Sequence, residues 1–221
     1  NHLEEMVASQ VAEMTRMQDE VITGIANLIE SRDGSTGLHV KNTQNYVQIL
    51  TKALREKGMY PDILDHNYEL NTVKASVLHD IGKIKTPDAI LLKPGRLTDE
   101  EFEVMKQHTV AGCEIIDRII GNVEHEEYVD IARKIARYHH ERWDGTGYPD
   151  GLSGEEIPLC ARIMALADVF DALYQDRCYK KAIRPASKVF EIIKENSGSQ
   201  FDPNLTEIFL ELQREITDIS E

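Results

Sequence analysis

The sequence predicts an all-α fold, and three observations carry that prediction. Apolar residues recur at steps of three and four through nearly the whole chain, the spacing of one face of a 3.6-residue helix. Capping residues and prolines open these runs, and glycines close them. No stretch alternates apolar and polar residues between turn signals, as a half-buried strand would.

The elements follow in order. Leu3, Val7, Gln10, Met14, Met17, Val21, Gly24 and Leu28 alternate four- and three-residue steps, a heptad seam weakened by Gln10 and Gly24. Two readings of this first helix stand side by side. It is a signalling helix that forms a homodimer and joins an upstream sensor or receiver domain, or it is the first amphipathic helix of a bundle. Beyond Gly34–Gly37, residues Val40, Thr43, Val47, Leu50 and Leu54 mark one face, with Gly58 as the residue after the helix end. Leu70, Val73 and Val77 mark a helix running into His79-Asp80. Thr86-Pro87 starts a short helical turn that Pro94-Gly95 breaks. Thr98 and Glu101 form a capping box ahead of Phe102, Met105, Thr109, Gly112, Ile116 and Ile119. Ile131, Ile135 and Tyr138 mark the helix that delivers His139. Leu159, Ile163, Leu166, Phe170 and Leu173 mark the one carrying Asp168 and Asp171, and Pro185 and Asp202-Pro203 open the last two. This divides the chain into a linking or dimerising helix over 1–32 and a helical domain over 33–221.

Composition narrows the function. Of 221 residues, 41% are apolar, enough for a core, and 25 basic against 39 acidic residues give a net charge of −14. That balance argues against nucleic-acid polymers and anionic membranes as partners. A small anionic substrate remains open, because metals and a few cations invert the sign of a site. No run approaches a membrane span and no signal peptide is visible, although a chain opening at Asn1 reads as an excised fragment. Cys113, Cys160 and Cys178 are odd in number and far apart, which fits packing thiols in a reducing, cytoplasmic setting.

The tract Tyr138–Gly151, YHHERWDGTGYPDG, carries the most chemistry. Adjacent histidines at a helix end leave imidazole nitrogens that need partners, and metal coordination supplies them. With His79-Asp80 upstream, the candidate ligands are His39, His79, Asp80, His108, His139, His140 and Asp168. That set exceeds the needs of one ion, so two divalent ions or more are expected, with Asp80 as the natural bridge. Imidazole and carboxylate suit iron, manganese, nickel or zinc. His2, His66 and His125 fall outside any such context and read as solvent-facing.

The motifs HDIGKI, KPGRLTDEE, HHERWDGTGYPDG and ARIMALADVFDAL occur in this order between Asp33 and Leu210. That segment resembles the HD-GYP family, a branch of the HD metal-dependent phosphohydrolases whose characterised members hydrolyse cyclic di-GMP to pGpG or GMP. The resemblance implies an HD-type helical bundle. It also implies phosphodiester hydrolysis by a metal-activated hydroxide, with the seven residues above as ligands. Lys83 resembles the family lysine at a phosphate oxygen. Tyr148, with Arg177 and Lys180, resembles the substrate-contacting set, with Tyr148 facing a base. Gly145 and Gly147 permit a tight loop with unusual backbone angles beside the substrate. Trp143 and Asp144 lock that loop, and Asp171 orients a ligand or Lys83.

Two positions depart from the family pattern. Some members carry a glutamate four residues before the upstream histidine, supporting a third ion, and Ser35 stands there. An arginine commonly follows three residues after that histidine, and Asn42 stands there. Ser35 favours a two-ion site. Three functions follow: an active cyclic di-GMP phosphodiesterase serving as a signalling output domain, a catalytically weak nucleotide-binding or protein-interaction module, or a hydrolase of another cyclic dinucleotide.

Overall fold

The computed structural model describes residues 2–33, 38–121, 126–175 and 182–219. Ser35, His125, Arg177, Cys178, Lys180 and the turn at Gly34–Gly37 lie outside the described residues. Among the described residues there are ten α-helices and no β-strand, only an isolated bridge between Ser197 and Phe201. The order is α1 (His2–Glu30), α2 (His39–Glu56), α3 (His66–Ala75), α4 (Asp88–Leu91), α5 (Asp99–Ile120), α6 (Glu126–Tyr138), α7 (Leu159–Tyr174), α8 (Ala186–Glu195), α9 (Pro203–Glu211) and α10 (Gln213–Asp218).

Helix α7 is the axis of the core. Almost every residue from Leu159 to Phe170 is buried, because α2, α6, α8 and α9 pack around it. Phe170 sits at the centre, with ring centroids 5.1 Å from Tyr46 on α2, 5.0 Å from Phe190 on α8 and 5.7 Å from Phe209 on α9. Such tilted and edge-on pairs add about 0.5–1.5 kcal/mol each beyond the area they bury. The α9 N-cap, Asp202, also pairs with the buried Arg162 of α7 at 2.6 Å.

The expected starts and stops appear where the sequence places them. Thr98 and Glu101 form the reciprocal capping box, with the Glu101 N–H donating to Thr98 Oγ1 at 3.3 Å and the Thr98 N–H to Glu101 Oε2 at 2.7 Å. Gly58 follows α2 with φ +68°, and Asp202-Pro203 opens α9. Two details differ. The helix expected to run into His79-Asp80 ends at Ala75, and Ser76–Leu78 and Ile81–Lys85 are 3-10 turns. The Ser76 hydroxyl donates back to the Val73 carbonyl at 2.8 Å, and the tighter winding lets Gly82 press against α5. A Cβ on Gly82 would lie 1.8 Å from the His108 carbonyl oxygen, so only glycine permits this approach. The second difference is at the C-terminal end, where the last helix splits. Leu212 leaves the α region and α10 turns Ile216 into the core.

Cys160 is a buried packing thiol as expected, whereas Cys113 is only half-buried on α5. His2 and His66 face solvent. No helix among the described residues is long and apolar enough to cross a membrane.

Candidate metal centre

Five elements deliver imidazoles and carboxylates to one point. His39 opens α2, His79 and Asp80 lie between the two 3-10 turns, and His108 sits midway along α5. His139 and His140 follow α6, and Asp168 projects from α7. The side chains fall into two neighbouring clusters, in each of which the candidate ligand atoms lie within 4.8 Å of one another: Asp80, His108, His139 and His140, and His39, His79 and Asp168. Asp80 stands between them. Its Oδ1 is 3.3 Å from His108 Nε2 and 3.7 Å from His139 Nε2, while Oδ2 is 3.4 Å from His79 Nε2.

The hydrogen bonds behind these rings say what the front is for. His79 Nδ1 faces the Ser76 carbonyl at 2.8 Å, His108 Nδ1 the Met105 carbonyl at 2.7 Å, and His139 Nδ1 the Ile135 carbonyl at 2.9 Å. A carbonyl only accepts, so each Nδ1 carries the hydrogen and each Nε2 lone pair points into the site. His39 Nδ1 likewise donates to Asp171 Oδ2 at 2.7 Å. All four Nε2 atoms are buried without a hydrogen-bond partner, as is Asp80 Oδ1. A buried polar atom left unsatisfied costs about 1–3 kcal/mol, and several converging on one point fit divalent cations.

The electrostatics separate the two clusters. Burial lowers His108 to about 4, and burial beside the His139 and His108 rings lowers His140, so both imidazoles are neutral at pH 7. Burial opposes charge on His39, yet Asp168, Asp171 and Glu30 outweigh it and raise its pKa to about 10. His79 is also raised, with burial opposed chiefly by Asp80. Asp80 and Asp168 are held well below the usual carboxylate range: burial opposes this, but Lys83 and His79 outweigh it at Asp80, and His39 at Asp168. A cation entering the His39 side therefore competes with a proton, and uptake there strengthens as pH rises.

The remaining expected residues divide. Lys83 is buried at the rim with its Nζ 2.6 Å from Asp80 Oδ2. Tyr148 stacks on His140 at 4.9 Å and meets Phe102 edge-on at 5.9 Å. Asp171 orients His39, not Lys83, and is itself held by Asn42 Nδ2 at 3.1 Å. Asn42 thus supports His39 through Asp171. Asp144 accepts from the Thr146 N–H at 3.0 Å and hydroxyl at 2.6 Å, and the Trp143 and Asp144 N–H groups donate to the Gln200 and Ser199 carbonyls. Gly145 takes φ +79°, as expected of a tight loop. Gly147 does not share that angle; its constraint is space, since a Cβ there would lie 2.4 Å from the Arg142 nitrogen.

Two carboxylates escaped the sequence reading. Glu141 is buried, and its oxygens accept the N–H groups of Asp150, Gly151 and Leu152 at 2.8–3.1 Å, clamping the loop that carries Tyr148. Glu30, at the end of α1, forms a third cluster with His39 and Asp80. Its signal was its helical position: Glu30 shares the core-facing stripe of Ala26 and Ile29, not the heptad seam.

Beside the centre lies a cavity of about 400 Å³ lined by Asp80, Lys83, His108, His140, Tyr148 and Asp168, and also by Ile90, Lys93, Leu97 and Met105. A roomier groove of about 1300 Å³, lined in part by Lys41, Arg184 and Arg214, holds no imidazole, so the smaller cavity is the one joined to chemistry.

Fold and site together define an all-α bundle whose core gathers a His/Asp centre suited to divalent metal ions. The family model described as HD domain matches residues 3–205. A Vibrio cholerae serotype O1 protein named as a probable cyclic di-GMP phosphodiesterase is 42% identical over 224 residues, covering 100% of this chain and 50% of the relative. A second from that organism, named as a cyclic di-GMP phosphodiesterase, is 44% identical over 211 residues, covering 94% and 42%. The crystal structure of a cyclic GMP-AMP specific phosphodiesterase from Vibrio cholerae matches with a TM-score of 0.59 at 20% identity, over 90% of this chain and 52% of that one, a likeness of fold. The chain belongs to the HD domain family, in its HD-GYP branch. It spans about half the length of the curated relatives it matches.

Proposed function

We propose that this chain hydrolyses the phosphodiester bonds of cyclic di-GMP to pGpG, GMP or both, as the cytoplasmic output domain of a bacterial signalling protein. The observation that carries the reading is the ring of inward Nε2 atoms around Asp80, opening directly on the cavity that holds Lys83 and Tyr148. Two ions per chain, iron or manganese, would be held by the cluster of Asp80, His108, His139 and His140 and by that of His39, His79 and Asp168. When bound, such ions supply a lowered pKa for water and charge to offset the phosphate in the transition state.

The protein's own groups do the rest. Lys83 presents fixed positive charge to the scissile diester, while Tyr148, stacked on His140 and followed by the Asp150–Leu152 turn that Glu141 clamps, presents a ring to a guanine face. Arg177 and Lys180 complete the substrate contacts of this proposal. Residues 1–32 serve as the linking helix through which two copies pair below an upstream sensor or receiver domain, and 33–221 form the hydrolase unit.

The test is turnover of cyclic di-GMP by protein loaded with iron(II) or manganese(II), read as linear products, beside a His79→Ala, Asp80→Ala control. Metal-dependent product that the control loses is the expected result. Tight nucleotide binding without turnover replaces the enzyme by a binding module. Faster cleavage of a mixed cyclic dinucleotide moves only the substrate. Metal analysis of the same sample checks the two ions.

A further inference from the structure

We propose that α1 links the pairing of two copies of this chain to the metal centre, because the seam that pairs and a carboxylate that reaches the cations lie on one rigid helix. The inference rests on the reading of the His/Asp cluster as a metal centre, but not on the identity of the substrate.

Most of the seam is open to solvent, while Met17 and Val21 also border a cavity between α1 and the body. The seam's apolar members are all at least half exposed, from 51% at Val7 to 69% at Leu28, and no residue from His2 to Gln18 is buried. Burial begins only at Ala26, Ile29 and Glu30. At 100° per residue these core-facing positions lie about 130° around the helix from the seam. The molecule's own core therefore leaves the seam uncovered.

A second copy fits this seam better than another partner, and the flanking charges say in which direction. With Val7, Met14, Val21 and Leu28 at one seam position and Leu3, Gln10, Met17 and Gly24 at the other, Met6, Glu13, Glu20 and Asn27 flank one side. Glu4, Val11, Gln18 and Ile25 flank the other. In a parallel, in-register pair Met6 faces the partner's Val11, Glu13 the partner's Gln18, and Glu20 the partner's Ile25. No like charges meet, and the exposed Met6, Val11 and Ile25 widen the apolar strip. An antiparallel pair brings Glu13 toward the partner's Glu20, a like-charge contact that disfavours it.

The other end of α1 enters the site. Glu30 is 1% exposed, its carboxylate shares a ligand cluster with His39 and Asp80, and its Oε2 lies 3.7 Å from Lys83 Nζ. A carboxylate at a helix C-terminus opposes the helix dipole, and the Lys83 ammonium beside it offsets that. Just beyond, Arg32 donates to the carbonyls of Lys83, Ile84 and Thr86 at 3.2–3.4 Å and pairs with Asp88 at 2.6 Å, gripping the segment that presents Asp80. Between the two ends, α1 stands off the body over a cavity of about 590 Å³, bordered by Val11, Met17, Val21 and Ile22 on α1 and by Lys74 and Ile120 on the body. Lys74 reaches across to Asp19 at 2.8 Å. A helix seated mainly by its last turn passes a change of pairing to that turn, and so to Glu30.

Linkage is reciprocal: if pairing sets Glu30, cations at the centre must tighten pairing by the same factor, typically at least about fivefold. The test is the dimer dissociation constant of the full chain, by sedimentation, without metal and with manganese(II), together with manganese affinity by calorimetry. Wild type is expected to pair at least about fivefold more tightly with manganese. Val21→Glu is expected to be a folded monomer that binds its weakest ion at least about fivefold more loosely. Glu30→Gln is expected to pair with a constant that manganese no longer changes. A wild-type monomer, a metal-independent dimer, or coupling that persists in Glu30→Gln overturns the proposal. Coupling without cyclic di-GMP turnover leaves it standing and removes only the activity, whereas no heat of manganese binding removes the metal-centre reading itself.

Discussion

Helix α7 enters the metal centre from inside the core, whereas α1 reaches it only with its last turn. Along α7 the apolar residues are buried all round, so Asp168 and Asp171 are carried by a helix that cannot move without disrupting Phe170 and its ring partners. Along α1 the apolar residues form a stripe in solvent, and burial is confined to Ala26, Ile29 and Glu30. Both helices contribute a carboxylate to the same site, but one is anchored by packing and the other by local hydrogen bonds. The difference teaches that a ligand's rigidity comes from what its helix buries, not from the ligand itself.

Substitutions that leave shape unchanged sharpen this contrast. Asp168→Asn removes a ligand from the rigid helix; we expect loss of one ion by metal analysis and at least about a 100-fold fall in turnover. Unchanged metal content would mean that α7 supplies no ligand. Asp171→Asn should have a smaller effect, because it touches the centre only by orienting His39. A fall of about 10- to 100-fold in metal affinity is expected, with folding retained. An affinity equal to wild type would reduce the Asp171–His39 bond to packing. The smallest effect belongs to the seam. Met14→Gln, unfolded by denaturant at the lowest workable concentration, should change stability by no more than about 0.5 kcal/mol. A larger loss would show that the seam packs on the body and that the two helices are less different than described.

Much of this was legible beforehand. The Thr98–Glu101 box, the prolines at the starts of α8 and α9, and the glycine after α2 are local features and appear as expected. The seven ligand candidates converge although five elements carry them, because the motifs around them are specific. What escaped was long-range. Glu30 belonged by pattern to a linking helix, and its place beside His39 and Asp80 appears only in space. Asn42 stood out only as a departure from a common arginine, yet it supports Asp171 from 129 positions away. Glu141 sat unnoticed beside two histidines because its partners are backbone N–H groups, which no residue pattern displays.

The sequence by itself determined the all-α class, most helix ends and the family, since periodicity, capping and motifs act over a few residues. The tertiary structure alone decided which imidazole nitrogen faces the centre, which carboxylate stands behind each histidine, and that α1 ends inside the site. Those depend on where a carbonyl or a partner helix falls in space. Packing sets that through contacts between residues far apart in the chain, as between Gly82 and His108 or His39 and Asp171.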